Sequence, residues 1–153
     1  MNKIEKYLYK YEDLWYKISD NDTEYPIMDI ALNEIDENDY YACDFSRNNK
    51  VMMLFFAGSS NFFLGIWIGE SNYKNQLDQH PIYLFDLSSD TNNFECIGNF
   101  RTCMEIILTE QLNKKNIDKE MLKEIKSAYK DLDVFSRNIL CNNDYLLKRV
   151  PLK

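Results

Sequence analysis

Between residues 50 and 98 the apolar side chains fall in short runs, Val51 to Ala57, Phe62 to Ile68, Pro81 to Leu87 and Phe94 to Ile97, separated by Gly, Ser, Asn and Asp. Runs this short, punctuated this way, are strands and turns. Successive side chains of a strand point to opposite faces. Met52-Met53-Leu54-Phe55-Phe56 and Phe62-Phe63-Leu64 are apolar without alternation, so they predict a sheet covered on both faces. Two connections, Gly58-Ser59-Ser60-Asn61 and Ser88 to Asn93, are short enough for hairpins, which makes those neighbours antiparallel. The run Asn38 to Phe45 adds a further candidate strand.

Such a sheet needs helices to cover it, and the flanking sequence supplies them. Over residues 3 to 18, Ile4, Tyr7, Leu8, Tyr11, Trp15 and Ile18 recur at spacings of three and four, while Lys6, Lys10, Asp13 and Lys17 occupy other faces. This is an amphipathic helix with one buried stripe. After Gly98, Asn99 is placed to cap a helix whose stripe is Phe100, Cys103, Met104, Ile107, Leu108 and Leu112. Asp118 caps the next helix, with Ile117 and Leu122 at the positions of a hydrophobic staple and Met121, Ile125, Ala128, Tyr129 and Leu132 as its stripe. Val134 to Leu140 is a candidate short helix. The expected fold is α+β: a central, mainly antiparallel sheet of about five or six strands, with an N-terminal helix and C-terminal helices packed on it. Without repeats or Pro/Gly-rich linkers, residues 1–153 read as a single domain, and a chain of this length buries enough surface to need no staple.

Cys43, Cys96, Cys103 and Cys141 lie in apolar contexts and no two form a C-x-x-C pair, which predicts four reduced, buried side chains and a cytoplasmic location. No apolar run approaches a membrane span, and charges interrupt the apolar residues at the start of the chain, unlike a signal peptide.

The search for reactive groups returns few. The one histidine, His80, precedes Pro81, where the chain enters a strand, and nothing around it marks a nucleophile. Asp20-Asn21-Asp22-Thr23-Glu24 resembles the start of a calcium loop, but Tyr25 stands where that loop turns on Gly and Ala31 where it needs a bidentate Glu. The four glycines, Gly58, Gly65, Gly69 and Gly98, are too scattered for a phosphate loop. No enzyme, cofactor or metal is therefore expected.

Charge gives the positive signal. From Ile18 to Ser46 there is no Lys or Arg, while Asp20, Asp22, Glu24, Asp29, Glu34, Asp36, Glu37, Asp39 and Asp44 carry nine negative charges. The remainder is nearly balanced, with 18 basic and 16 acidic residues in a chain of net charge −7. A block of this kind repels nucleic-acid phosphates and anionic membranes and attracts basic protein surfaces. These nine acids, with Tyr25, Tyr40 and Tyr41 as aromatic anchors among them, form the candidate partner-binding site.

The segment from Leu54 to Gln111, with the hairpin FFAGSSNFFLGIWIG, the strand PIYLFDL, a strand ending CIGNF and the helix FRTCMEIIL, resembles the second half of the SUKH superfamily. Where family members carry an upstream Leu-Pro, this chain has Tyr25-Pro26-Ile27. The resemblance implies an α+β fold, no catalysis, and a cytoplasmic immunity protein that binds and neutralises a cognate bacterial toxin, often a nuclease; with the acidic block, the expected partner is a toxin with a basic surface, and the chain itself is expected to be a monomer or weak homodimer. Two other classes fit the same sequence: an intracellular adaptor using its acidic surface on a host protein, and a small hydrolase built on a carboxylate pair.

Overall fold

The computed structural model describes residues 3–20, 29–30, 51–56, 62–67, 77–86, 93–114 and 117–137. Its element order is helix α1 (Lys3–Lys10), helix α2 (Glu12–Asp20), a two-residue pairing β1 (Asp29–Ile30), strands β2 (Val51–Phe56), β3 (Phe62–Trp67), β4 (Ile82–Asp86) and β5 (Asn93–Gly98), helix α3 (Phe100–Leu112) and helix α4 (Lys119–Lys130). Short 3-10 turns occupy Leu77–Gln79 and Asp131–Val134. The fold is thus mixed α and β, and every pairing in the sheet is antiparallel, in the order β1-β2-β3-β4-β5. Four of these are full strands; the described sheet therefore holds four with one short edge pairing, where the sequence predicts about five or six. The candidate strand at 38 to 45 lies outside the described residues.

Both faces of the sheet are buried, as the unbroken runs require. One face joins Leu54, Phe55, Leu64, Ile66, Ile82 and Ile97 to the apolar stripes of all four helices. The opposite face gathers Val51, Phe63, Trp67, Tyr83 and Phe85. No helix residue belongs to this second cluster among the described residues. Leu54 and Phe55 are consecutive yet share the helical face, because a register shift between Met53 and Phe55 inserts one extra residue into β2. Gly65 leaves room for side chains of the second cluster: a Cβ there would meet Val51 Cγ1 at 2.5 Å.

The N-terminal segment forms two helices where the sequence predicts one, with a turn at Tyr11. Trp15 holds the break. Its indole donates to the Leu8 carbonyl at 2.8 Å, taking an acceptor of the last turn of α1, and its ring packs 6.0 Å from Phe55 of the sheet. Gly98 ends β5 at φ +103°, a conformation that L side chains rarely adopt, and this turns the chain so that Asn99 caps α3 by accepting from the Thr102 amide. Asp118 caps α4 in the same way, accepting from Met121 at 2.7 Å. Two stripe positions differ from expectation. Gln111 is buried in place of Leu112 on α3, and Tyr129 of α4 is exposed. The predicted helix from Val134 is not formed over its described part: the 3-10 turn Asp131–Val134 ends where it would begin, Phe135 is extended, and residues 138–140 lie outside the described residues.

The cysteine expectation is corrected. Cys96 is disulfide-bonded, with its partner outside the described residues. Cys103 is free and fully buried in α3, and burial pushes its thiol up to about 12. The apolar context that suggested reduced core thiols is equally compatible with a buried bridge, and spacing alone does not separate the two.

Candidate functional site

Of the expected site residues, Asp20 is exposed at the end of α2, and Asp29 pairs its backbone with Phe56 at the sheet edge. Asp22, Glu24, Tyr25, Glu34, Asp36, Glu37, Asp39, Tyr40, Tyr41 and Asp44 lie outside the described residues, as does most of the candidate calcium loop. Among the described residues no three His, Cys, Asp or Glu converge as a metal site would require. His80 is buried. Burial lowers its pKa, so the imidazole is neutral at pH 7, and a hydrogen bond to the Trp67 backbone opposes the shift.

The α1–α2 pair has a surface organised in three stripes, because residues three and four apart stand on one face of a helix. Ile4, Leu8, Leu14, Trp15 and Ile18 turn to the core. On a second side Lys3, Tyr7, Lys10, Tyr11 and Lys17 meet α4 and the turn that follows it. Tyr7 donates its buried hydroxyl to the Ala128 carbonyl at 2.8 Å, Tyr11 bonds Ser127 at 2.9 Å and donates to Asp131, and Lys10 and Lys17 pair with Asp131 and Glu124 at 2.7 and 2.6 Å. Rising numbers on one side meet falling numbers on the other, so α4 runs antiparallel to α1–α2. Burial pushes the Tyr7 phenol well up, helped by Tyr11 and Asp131, while bonds from Lys10 and Tyr11 hold the Asp131 carboxyl below its usual value.

The third stripe faces outward. It carries Tyr9 and Tyr16, 46% and 47% exposed, with Glu12, Asp13 and Asp20 exposed around them and Glu5 half-buried at its start. Tyr9, Glu12 and Tyr16 belong neither to the apolar stripe of this segment nor to the acidic block after it; the signal for them is their recurrence at spacings of three and four opposite the apolar residues.

A second charge pattern is also new. Lys119, Lys123, Lys126 and Lys130 recur one turn apart along α4, all exposed, with no ion pair assigned to them among the described residues. The near balance of charge outside the acidic block therefore conceals a segregation, with acid and tyrosine on the outer face of α1–α2 and lysine on the outer face of α4. Between α3 and α4 lies a shallow groove of about 630 Å³, lined by Thr102, Glu105, Ile106, Thr109 and Tyr129 among others. Its carboxylates are already engaged: Glu105 pairs with Arg101 at 3.9 Å and with Arg137 at 3.3 Å, and Glu110 pairs with Lys114 at 3.9 Å.

After the 3-10 turn Asp131–Val134, Phe135 and Ser136 form a strap that ties α1, the start of α3 and the turn Leu77–Gln79 together. Phe135 is buried 5.5 Å from Tyr7 and 4.8 Å from Phe100, measured between ring centres. Ser136 donates its amide to buried Asp78 at 2.7 Å and accepts from Asn99 at 2.7 Å. Lys3 pairs with the same Asp78 at 3.3 Å.

Among the described residues no helix is long and apolar enough to cross a membrane. Comparison with protein-family models, with curated proteins and with solved structures finds no match in any of the three.

Proposed function

We propose that this chain is a non-catalytic protein-binding domain that neutralises a cognate bacterial toxin by covering the toxin's basic surface with an acidic one. The observation that carries this reading is the run from Ile18 to Ser46, which holds nine carboxylates and no Lys or Arg and which begins at exposed Asp20 at the end of α2. The SUKH resemblance supports it, since a four-strand meander followed by α3 is the order that the resemblance implies. A toxin that acts on nucleic acid must present cationic groups to phosphate, and a run of carboxylates offers those groups the same charge. Opposite fields speed the encounter, and Tyr25, Tyr40 and Tyr41 supply anchors within the charged rim.

A cytoplasmic location belongs to this reading, and the bond at Cys96 sets a condition on it. The thiol pool of that compartment keeps such pairs reduced, so the fold must stand without the bridge. The clustering of the core allows this, because Cys96 packs only at the margin of the smaller cluster.

Co-expression tests the function. Production of the chain in bacteria together with the protein encoded beside its gene should protect growth, and the two should co-purify. Growth arrest unrelieved by the chain, or a neighbour that is harmless alone, would remove the toxin from the account.

A further inference from the structure

We propose that the outward face of α1–α2, with Tyr9 and Tyr16 set among Glu12, Asp13 and Asp20, is the surface on which the basic partner docks. This placement rests on the proposed binding of a basic protein and specifies where on the fold that binding occurs.

Three observations select the face. The first is exposure. Tyr9 and Tyr16 are the two most exposed tyrosines among the described large hydrophobic side chains, at 46% and 47%, one on each side of the turn at Tyr11.

The second is charge. Glu12, Asp13 and Asp20 are exposed on α2 with Tyr16, whereas Lys10 and Lys17 pair with Asp131 and Glu124. Lys6 alone among the exposed lysines of α1–α2 borders the face without an assigned ion pair. Ammonium and guanidinium groups satisfy both components, because they are attracted to the ring faces and pair with the carboxylates.

The third is exclusion of the alternatives. The outer face of α4 carries Lys119, Lys123, Lys126 and Lys130 and repels a cationic approach. The groove beside α3 has carboxylates that Arg101, Arg137 and Lys114 already hold. Of the described helix surfaces, this leaves α1–α2. The face also runs into Asp20, so it is continuous in sequence with the acidic block. Polyanions and anionic membranes are disfavoured occupants here for the reason that a basic protein is favoured.

The test uses the full chain and a fluorescein-labelled peptide of alternating Arg and Gly, with binding read by anisotropy at low ionic strength. Glu12→Lys with Asp13→Lys should weaken binding by at least about ten-fold, whereas Glu95→Lys with Glu120→Lys, the same change in net charge placed elsewhere, should alter it by less than about two-fold. Tyr9→Ala and Tyr16→Ala should each weaken it by about three-fold. Should Glu12→Lys with Asp13→Lys unfold α2, Glu12→Gln with Asp13→Asn must still weaken binding more than Glu95→Gln with Glu120→Gln. Equal effects of the paired variants on a peptide that does bind would overturn this docking face and leave the proposed function standing. Failure of the unmodified chain to bind the peptide at all would overturn both.

Discussion

Replacing Trp15 by Phe should destabilise the protein by about 3 kcal/mol, and the estimate follows from two separable losses. The first is a hydrogen bond. The indole donates to the Leu8 carbonyl at 2.8 Å with both residues fully buried, and leaving such an acceptor unpaired costs about 1–3 kcal/mol. The second is volume. Truncating a buried Trp to Ala costs about 3–5 kcal/mol, and Phe removes only part of the side chain, so about 1–2 kcal/mol is at stake. The surrounding rings, Tyr7 at 5.9 Å, Phe55 at 6.0 Å and Tyr11 at 6.2 Å, belong to different elements and close only partly over the gap. For a chain of this size each kcal/mol shifts Tm by about 2–4 °C, so circular dichroism should show a fall of about 6–12 °C. The exposed Tyr9→Ala makes the contrast, with a change within about 0.5 kcal/mol. A loss below about 1 kcal/mol for Trp15→Phe would refute the claim that this side chain holds α1 and α2 together on the sheet.

Three further outcomes follow from the same contacts. Asn99→Ala removes the α3 cap and the donor to the Ser136 carbonyl, and urea unfolding should report a loss of about 2–4 kcal/mol. The Asp131 carboxyl is held below its ordinary 3.8 by the bonds from Lys10 and Tyr11, so its contribution is complete above that value and is lost as pH falls through its lower folded value; acid unfolding of Asp131→Asn should lack that component. Reduction should make Cys96 reactive to alkylating reagents under native conditions while Cys103 stays protected, and mass spectrometry of the labelled peptides would show both.

Much of the fold was legible because the physics that selects it is local. Val51 to Phe56 and Phe62 to Trp67 could be read as strands buried on both faces from the absence of alternation alone, and Asn99 and Asp118 announced their helices through the acceptor that each offers to the first turn. What stayed hidden depends on distant partners. Tyr7 and Tyr11, on the α1 side of the break, bond to Ala128, Ser127 and Asp131 more than 110 residues away, which no window along the chain contains. Burial of Gln111 in place of Leu112 reflects the rotation of α3 on the sheet, and a helical stripe fixes that only to within a residue. The state of Cys96 depends on a contact remote in sequence. The acidic block is visible as composition, and of its side chains Asp20, exposed at the end of α2, is the one that the fold places.

The most direct measurement is the association rate of the unmodified chain with the protein encoded beside its gene, followed across ionic strength. A carboxylate-rich surface meeting a cationic one predicts fast association that slows steeply as salt is added, with dissociation nearly unchanged. A rate indifferent to salt would contradict the claim that negative charge on this fold exists to find a positive partner.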